Sequence, residues 1–331
     1  MQFTIGVDIG NYDTKTANTK TVSGYTAYDN EQLLAETVLF YNGKYYIESI
    51  DNRLPYVEDK TENDQCLILT LFAIAKEIMY RVRKEGKGKN MQEAISSYSI
   101  VNLALGLPPG HFNKLAKKTR DYYYDVMGKG ISFKYANYEF IFKLGYLEIY
   151  AQDLTAVLVD SGLSFTNAKS DDAMPKYYII GIGGYTVDII PITVTDKKPV
   201  PVIDSCRSLP MGTRPMYEHI ITKLQSSTGF TLNEQSIEDV LRGKRHFLPD
   251  NVVEEIKSNT KIHADLIIDR CIQAGCDLNI YPVAFVGGGC LLLQPWLDAN
   301  TKICHREYIN DVRANAINYE KFIIAKHKLV G

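Results

Sequence analysis

What the chain lacks narrows it first. None of its six cysteines stands in a C-x-x-C pair and none of its six histidines in H-E-x-x-H, so spacing offers neither a zinc site nor a disulfide framework. The cysteines (Cys66, Cys206, Cys271, Cys276, Cys290 and Cys304) lie mostly in apolar segments and read as reduced core residues of a cytoplasmic protein. A basic excess is missing too. The 37 Lys and Arg against 39 Asp and Glu leave a formal net charge of −2, without the electrostatic footprint of a chain that grips nucleic acid itself. Lys114, Lys117, Lys118 and Arg120 form a short basic cluster with the spacing of a solvated helix face. Long apolar runs are absent: the uncharged stretch 65–75 is too short to span a bilayer, and the first strand follows Met1 directly, so neither a signal peptide nor a membrane partner is expected.

What is present is a 331-residue chain, long enough for about two domains, with the 45% hydrophobic and 23% charged content of a globular protein. Tyrosine is abundant, 23 residues, and Tyr122-Tyr123-Tyr124 and Tyr45-Tyr46 fit either protein interfaces or amphipathic core edges. Phe3, Ile5, Val7 and Ile9 alternate as on one face of a strand, which ends in Asp8-Ile9-Gly10-Asn11-Tyr12-Asp13-Thr14-Lys15. Gly10 and Asn11 tolerate the positive φ of a tight turn, and their small side chains let backbone amides face an anion. Asp8 and Lys15 supply the two charges a metal-bound polyphosphate needs, a carboxylate for the hydrated cation and an ammonium for phosphate oxygens. Alone, such a turn is an ordinary surface hairpin.

The chain repeats it. Residues 179–188 align without a gap on residues 6–15, pairing Ile9 with Ile182, Gly10 with Gly183 and Tyr12 with Tyr185. A duplicated strand-turn unit suggests two half-molecules facing across a cleft, each with one phosphate loop. A third turn, Gly287-Gly288-Gly289, follows the strand-like residues 282–285 and precedes a helical run, where close backbone approach and a helix N-terminus would suit a ligand.

Three glycine turns in this order resemble the nucleotide-binding core of the actin, DnaK-type chaperone and sugar-kinase superfamily. More narrowly, the chain resembles the ParM/StbA family, bacterial actin-like proteins that segregate plasmids, through residues 51–56 leading to Asp59-Lys60-Thr61, through Leu105-Gly106-Leu107-Pro108-Pro109-Gly110-His111 and through Tyr150-Ala151-Gln152-Asp153. The resemblance implies an α/β, actin-like fold of two duplicated halves, with mixed sheets flanked by helices around a nucleotide cleft. It implies a polymerising ATPase that uses ATP or GTP with Mg²⁺, forms head-to-tail filaments and reaches plasmid DNA through a DNA-binding adaptor rather than directly. Nucleotide contacts then fall to Gly10, Asn11 and Lys15, to Gly183, Gly184, Tyr185 and Thr186, to Gly212 and Thr213, and to Gly287, Gly288 and Gly289. Asp8 and Asp188 hold Mg²⁺ through water, and Gln152 orients the attacking water; without the resemblance, Gln152 reads as a polar residue ending a strand. One departure stands out: the family's second loop usually begins with Asp, where this chain has Gly181. Either hydrolysis is slow and the protein is a binding switch, or Gln152, Asp188 and Asp8 carry catalysis; the second is expected. A small-molecule kinase and a chaperone-type or cell-shape ATPase are the rivals on the same core, and light scattering with nucleotide separates a filament former from a kinase.

For organisation, the first half is expected at 1–163 plus 306–331, with a small mobile lobe at about 22–64, and the second at 164–305, with an outer helical lobe at about 213–280. Helices are expected at 66–84, 113–127, 234–242 and 250–274; hairpins turn at Asn42-Gly43 and Ala136-Asn137; a separate short strand is expected at 147–150. Ile309, Val312, Ala316, Tyr319 and Ile323 trace a closing helix that returns to the first half, and its tail, with Lys321, Lys326 and Lys328, reads as docked on the protein rather than on a membrane.

Overall fold

The apolar alternation at the start of the chain forms β1 (Gln2–Ile9), but both faces of that strand are buried, including Thr4 and Asp8, because it lies inside its sheet under helices. The computed structural model describes residues 2–32, 35–86, 90–158, 163, 176–195 and 198–329. The chain forms two compact units, Met1–Thr155 with Arg313–Gly331, and Ala156–Val312. The sequence suggested boundaries at 163/164 and 305/306; the first falls at residues of which 164 lies outside those described.

In the first unit β1 is followed by β2 (Asp13–Lys15), β3 (Lys20–Val22), β4 (Gly24–Tyr28), β5 (Leu39–Tyr41), β6 (Lys44–Arg53), α1 (Gln65–Lys84), α2 (Met91–Ser96), β7 (Ile100–Leu107), α3 (Phe112–Met127), β8 (Ile131–Tyr135), β9 (Tyr138–Ala151) and the short α4 (Leu154–Leu158), in which the unit boundary falls. The strands make one sheet in the order β3-β2-β1-β7-β9-β8-β5-β6-β4. Residues 147–150 are not a separate strand. They are the far end of β9, which pairs first with β8 and then, from Lys143 on, with β7. Gly145 makes that passage possible, since a Cβ there would stand 2.4 Å from Asn102 Oδ1, an atom that accepts from the Tyr146 amide.

The second unit runs β10 (Lys176–Ile182), β11 (Val187–Thr195), β12 (Lys198–Pro201), β13 (Arg207–Leu209), α5 (Thr213–Thr228), α6 (Glu234–Leu241), α7 (Asp250–Gln273), β14 (Val283–Val286), α8 (Gly288–Ala299) and β15 (Arg306–Tyr308). Its sheet order, β12-β11-β10-β14-β15, repeats that of β3-β2-β1-β7-β9. In both, the first long strand pairs antiparallel with its hairpin partner and parallel with the next. The registers also agree. The rung Asp8↔Lys15 of the first hairpin corresponds to Gly181↔Asp188 in the second, as the gapless alignment requires.

The closing helix, α9 (Ala314–His327), starts later than its apolar spacing suggests. Residues 306–308 are β15, paired parallel with β14 in the second unit, and Ile309 and Val312 precede the helix. The helix packs onto β1 and β7 where glycine leaves room: a Cβ on Gly6 would fall 2.0 Å from the Ala316 carbonyl oxygen, and one on Gly106 2.1 Å from the Tyr319 hydroxyl. Tyr319 and Ile323 are fully buried there, worth about 1.5–3 kcal/mol for each such side chain. Beside them runs a partly buried ionic chain. Arg81 donates to Glu77 (2.6 Å), to Glu320 (2.6 Å) and to the Thr4 carbonyl (2.9 Å), while Glu77 also accepts from Thr16 and Asn18. Burial pushes the Glu320 carboxyl up despite Arg81, with Glu77 as a second carboxylate sharing that cation. The helix end docks as expected, Lys326 and His327 both reaching Glu148 at 2.8 Å. Among the described residues no helix is long and apolar enough to cross a membrane.

Candidate functional site

The first hairpin turn is held from one side. Lys60, buried, donates to the Ile9 carbonyl at 2.7 Å; the Ser23 hydroxyl donates to the Gly10 carbonyl at 2.5 Å; Arg53 donates to the Tyr12 carbonyl and lies over the Tyr12 ring. Peptide groups here are trans, so each amide points opposite to the preceding carbonyl. Tying back the carbonyls of Gly10 and Tyr12 therefore turns the amides of Asn11 and Asp13 the other way. The Asn11 amide has no partner among the described residues. Neither Gly10 nor Asn11 has the positive φ expected of them. Gly10 is required for space instead, since a Cβ would stand 2.7 Å from the Asp13 carbonyl oxygen.

On the rung below this turn, Asp8 is 4% exposed and accepts from Gln152 Nε2 at 2.7 Å, while Lys15 Nζ lies 3.8 Å from its other oxygen. The strand end thus brings Asp8, Gly10, Asn11, Lys15 and Gln152 into one cluster. Gln152 is fixed through its backbone: its amide donates to the Leu107 carbonyl (2.8 Å) and its carbonyl accepts from the Leu154 amide (2.7 Å). The strap from Leu54 to Thr61 that carries Lys60 is itself anchored, Asp59 bonding Thr61 and Lys118. Against burial, those bonds hold the Asp59 carboxyl below the usual range. A cavity of about 20 Å³, room for a water, lies between strap and turn beside Ser23, Lys60 and Gln65, whose buried Oε1 has no partner among the described residues.

The second turn reaches the same result by different means. The Gly183 amide closes it on the Thr186 carbonyl (2.9 Å), and its carbonyls at Gly183, Gly184 and Tyr185 accept from the amides of Thr213 (3.1 Å), Arg214 (2.7 Å) and Gly212 (2.7 Å). The N-terminus of α5 here does what side chains do in the first unit, and the amides of Gly184, Tyr185 and Thr186 face away from it. Gly212 is glycine because a Cβ would meet the Gly183 carbonyl oxygen at 2.6 Å. His263 supports this junction by bonding the Met211 carbonyl (3.0 Å), and burial holds its imidazole below the ordinary value. On the rung opposite Gly181 stands Asp188, 4% exposed, accepting from the hydroxyls of Thr186 (3.2 Å) and Ser208. The carboxylate absent at Gly181 is therefore present on the same rung, one strand over.

The triple glycine divides its work. Gly287 has φ +95° and, like Gly289, packs on Ile182, where a Cβ would stand 2.8 or 2.6 Å from the nearest atom; at Gly288 the nearest is Val312 Cγ1 at 3.8 Å. Only Gly288 is thus open to a ligand, at the N-terminus of α8, which no side chain caps. Sequence reading missed Ser23 and Ser208, and named Arg53 and Lys60 only within stretches resembling the family, without the anchoring role, because no local spacing ties any of the four to the turns. Among the described residues no group of three or more His, Cys, Asp or Glu could hold a metal by itself.

Two sheets that share a five-strand order, each with a carbonyl-anchored turn over a buried carboxylate, define a duplicated α/β protein. Comparison gives that class its particular fold. The chain resembles a ParM in a 15-stranded filament from Clostridium botulinum (TM-score 0.71, 16% identity, 97% of this chain and 98% of that one). It resembles an archaeal actin homologue in complex with ADP (0.72, 17%, 98% and 99%) and Bacillus thuringiensis ParM with ATP (0.63, 11%, 98% and 98%). Residues 179–299 match the family model of the C-terminal part of the archaeal actin homologue MreB-like proteins. No curated protein matches the sequence. The fold is actin-like.

Proposed function

We propose that this chain is an ATPase that binds ATP or GTP with Mg²⁺, polymerises head to tail and moves plasmid DNA through a DNA-binding adaptor. One observation supports this above all: each unit presents the same hairpin, carbonyls tied back, amides facing the other way, and one buried carboxylate on the rung below. Each such turn suits the phosphate oxygens of a nucleotide. A single carboxylate per turn, Asp8 or Asp188, fits Mg²⁺, a cation that keeps most of its water and takes phosphate oxygens; bound, it neutralises phosphate charge. Lys15, near Asp8 and over Gly10, takes a phosphate oxygen, and Gln152 aims the water. Such positioning is most of what phosphoryl transfer asks of a protein. The likeness to an ADP-bound archaeal homologue, an ATP-bound ParM and a ParM filament supports nucleotide binding and assembly, and the net charge of −2 supports an adaptor.

Thermal melting tests the site. Mg-ATP raises Tm by binding the folded state, and Asp8→Ala removes most of that rise. An Asp8→Ala protein that responds fully places the site elsewhere.

A further inference from the structure

Asp153 follows Gln152 with φ +64°, in the left-handed region that residues other than Gly, Asn and Asp rarely adopt. The tight turn around it, closed by the Leu154 amide on the Gln152 carbonyl, sets the direction in which the Gln152 side chain leaves β9. That conformation is held from α9. The Asp153 amide donates to Asn315 Oδ1 at 2.9 Å and Asn315 Nδ2 donates back to Asp153 Oδ1 at 3.0 Å, both residues buried. One turn along the same helix, Asn318 Nδ2 donates to the Thr155 carbonyl at 3.0 Å. These bonds sit beside both places where the chain passes between units, 155/156 and 312/313.

We propose that Asn315 is a positioning residue: its reciprocal pair with Asp153 fixes the left-handed turn that aims the Gln152 amide at Asp8. The inference rests on Gln152 orienting the attacking water.

Phosphate release and nucleotide affinity of the full chain, measured side by side, test it. Asn315→Ala slows release about tenfold while nucleotide affinity stays within about twofold, because the lost element is orientation and not binding. Asp153→Gly in the same background restores most of the rate, since glycine takes φ +64° without help. At Asp153 alone, Ala slows release and Gly does not, and this pair decides the matter where Asn315→Ala folds poorly. Equal rates for Asp153→Ala and Asp153→Gly, or a slow Asn315→Ala that glycine fails to rescue, overturn the proposal. Gln152→Ala is the control: slow Gln152→Ala with normal Asn315→Ala sinks the positioning role alone, whereas normal Gln152→Ala sinks the assignment of Gln152 beneath it.

Discussion

A methyl group added at Gly212 would collide with the carbonyl oxygen of Gly183, a backbone atom that cannot swing aside, whereas one added at Gly288 would meet only ordinary van der Waals contact. Gly212→Ala should therefore cost about 1–3 kcal/mol in urea unfolding, the range of overpacked sites. Gly288→Ala should cost nothing, and gain up to about 1 kcal/mol, because alanine is the better helix former at the start of α8. If a nucleotide lies against Gly288, that same variant loses about tenfold in affinity, near 1.4 kcal/mol; full affinity in Gly288→Ala would remove this turn from the site. The chemistry of these residues was legible only in part. The sequence marked the three glycine turns of the candidate site, but Gly10 is needed for space and not for a positive φ, because crowding by the Asp13 carbonyl depends on how β2 folds back. Ser23 carried no signal, and Arg53 and Lys60 only that of the stretches resembling the family, since an anchoring bond to a carbonyl many residues away leaves no local pattern.

Among elements, α9 and α1 are joined by a carboxylate–guanidinium–carboxylate chain whose two acids are not equivalent. Glu77, fully buried with four donors on its oxygens, should cost about 3–5 kcal/mol on change to alanine, as when one partner of a buried pair is removed. Glu320 binds its proton more tightly folded than unfolded. Its contribution is then full below the unfolded value of about 4.3 and declines as pH rises through the raised folded value. The Tm penalty of Glu320→Gln should accordingly shrink between pH 4 and neutrality; a penalty that grows over that range would reverse the assigned shift. Elements set by local chemistry were readable. Asn42-Gly43 and Ala136-Asn137 turn their hairpins with positive φ at each residue, and α1 spans nearly the residues its apolar run indicated. Elements defined by partners were not. Three residues of β15 make a strand only because β14 is alongside, and β9 is one strand because Gly145 lets it change neighbours.

For the whole molecule, the duplicated order of strands was legible because the repeat preserved the register of both hairpins, rung for rung. Assembly belongs to this scale. At tens of micromolar with Mg²⁺ and a slowly hydrolysed ATP analogue, most of the protein should sediment and return to solution when nucleotide is removed, and DNA should not bind tightly without an adaptor. Protein that stays in the supernatant would tell against a filament, and salt-sensitive DNA binding by the chain alone against the adaptor.

The divided first unit also has a biosynthetic consequence. Residues 156–312 form one unit from an unbroken run, while the sheet of the other waits for α9. At about 5–20 residues per second, making that intervening run occupies the ribosome for roughly 8–30 s. Throughout that interval the face of β1 and β7 over Gly6 and Gly106 has no helix to cover it, an apolar surface for nascent-chain chaperones to shield. The contiguous unit closes first and the split one last, and the turn at Asp153 is clasped only after Asn315 has left the exit tunnel.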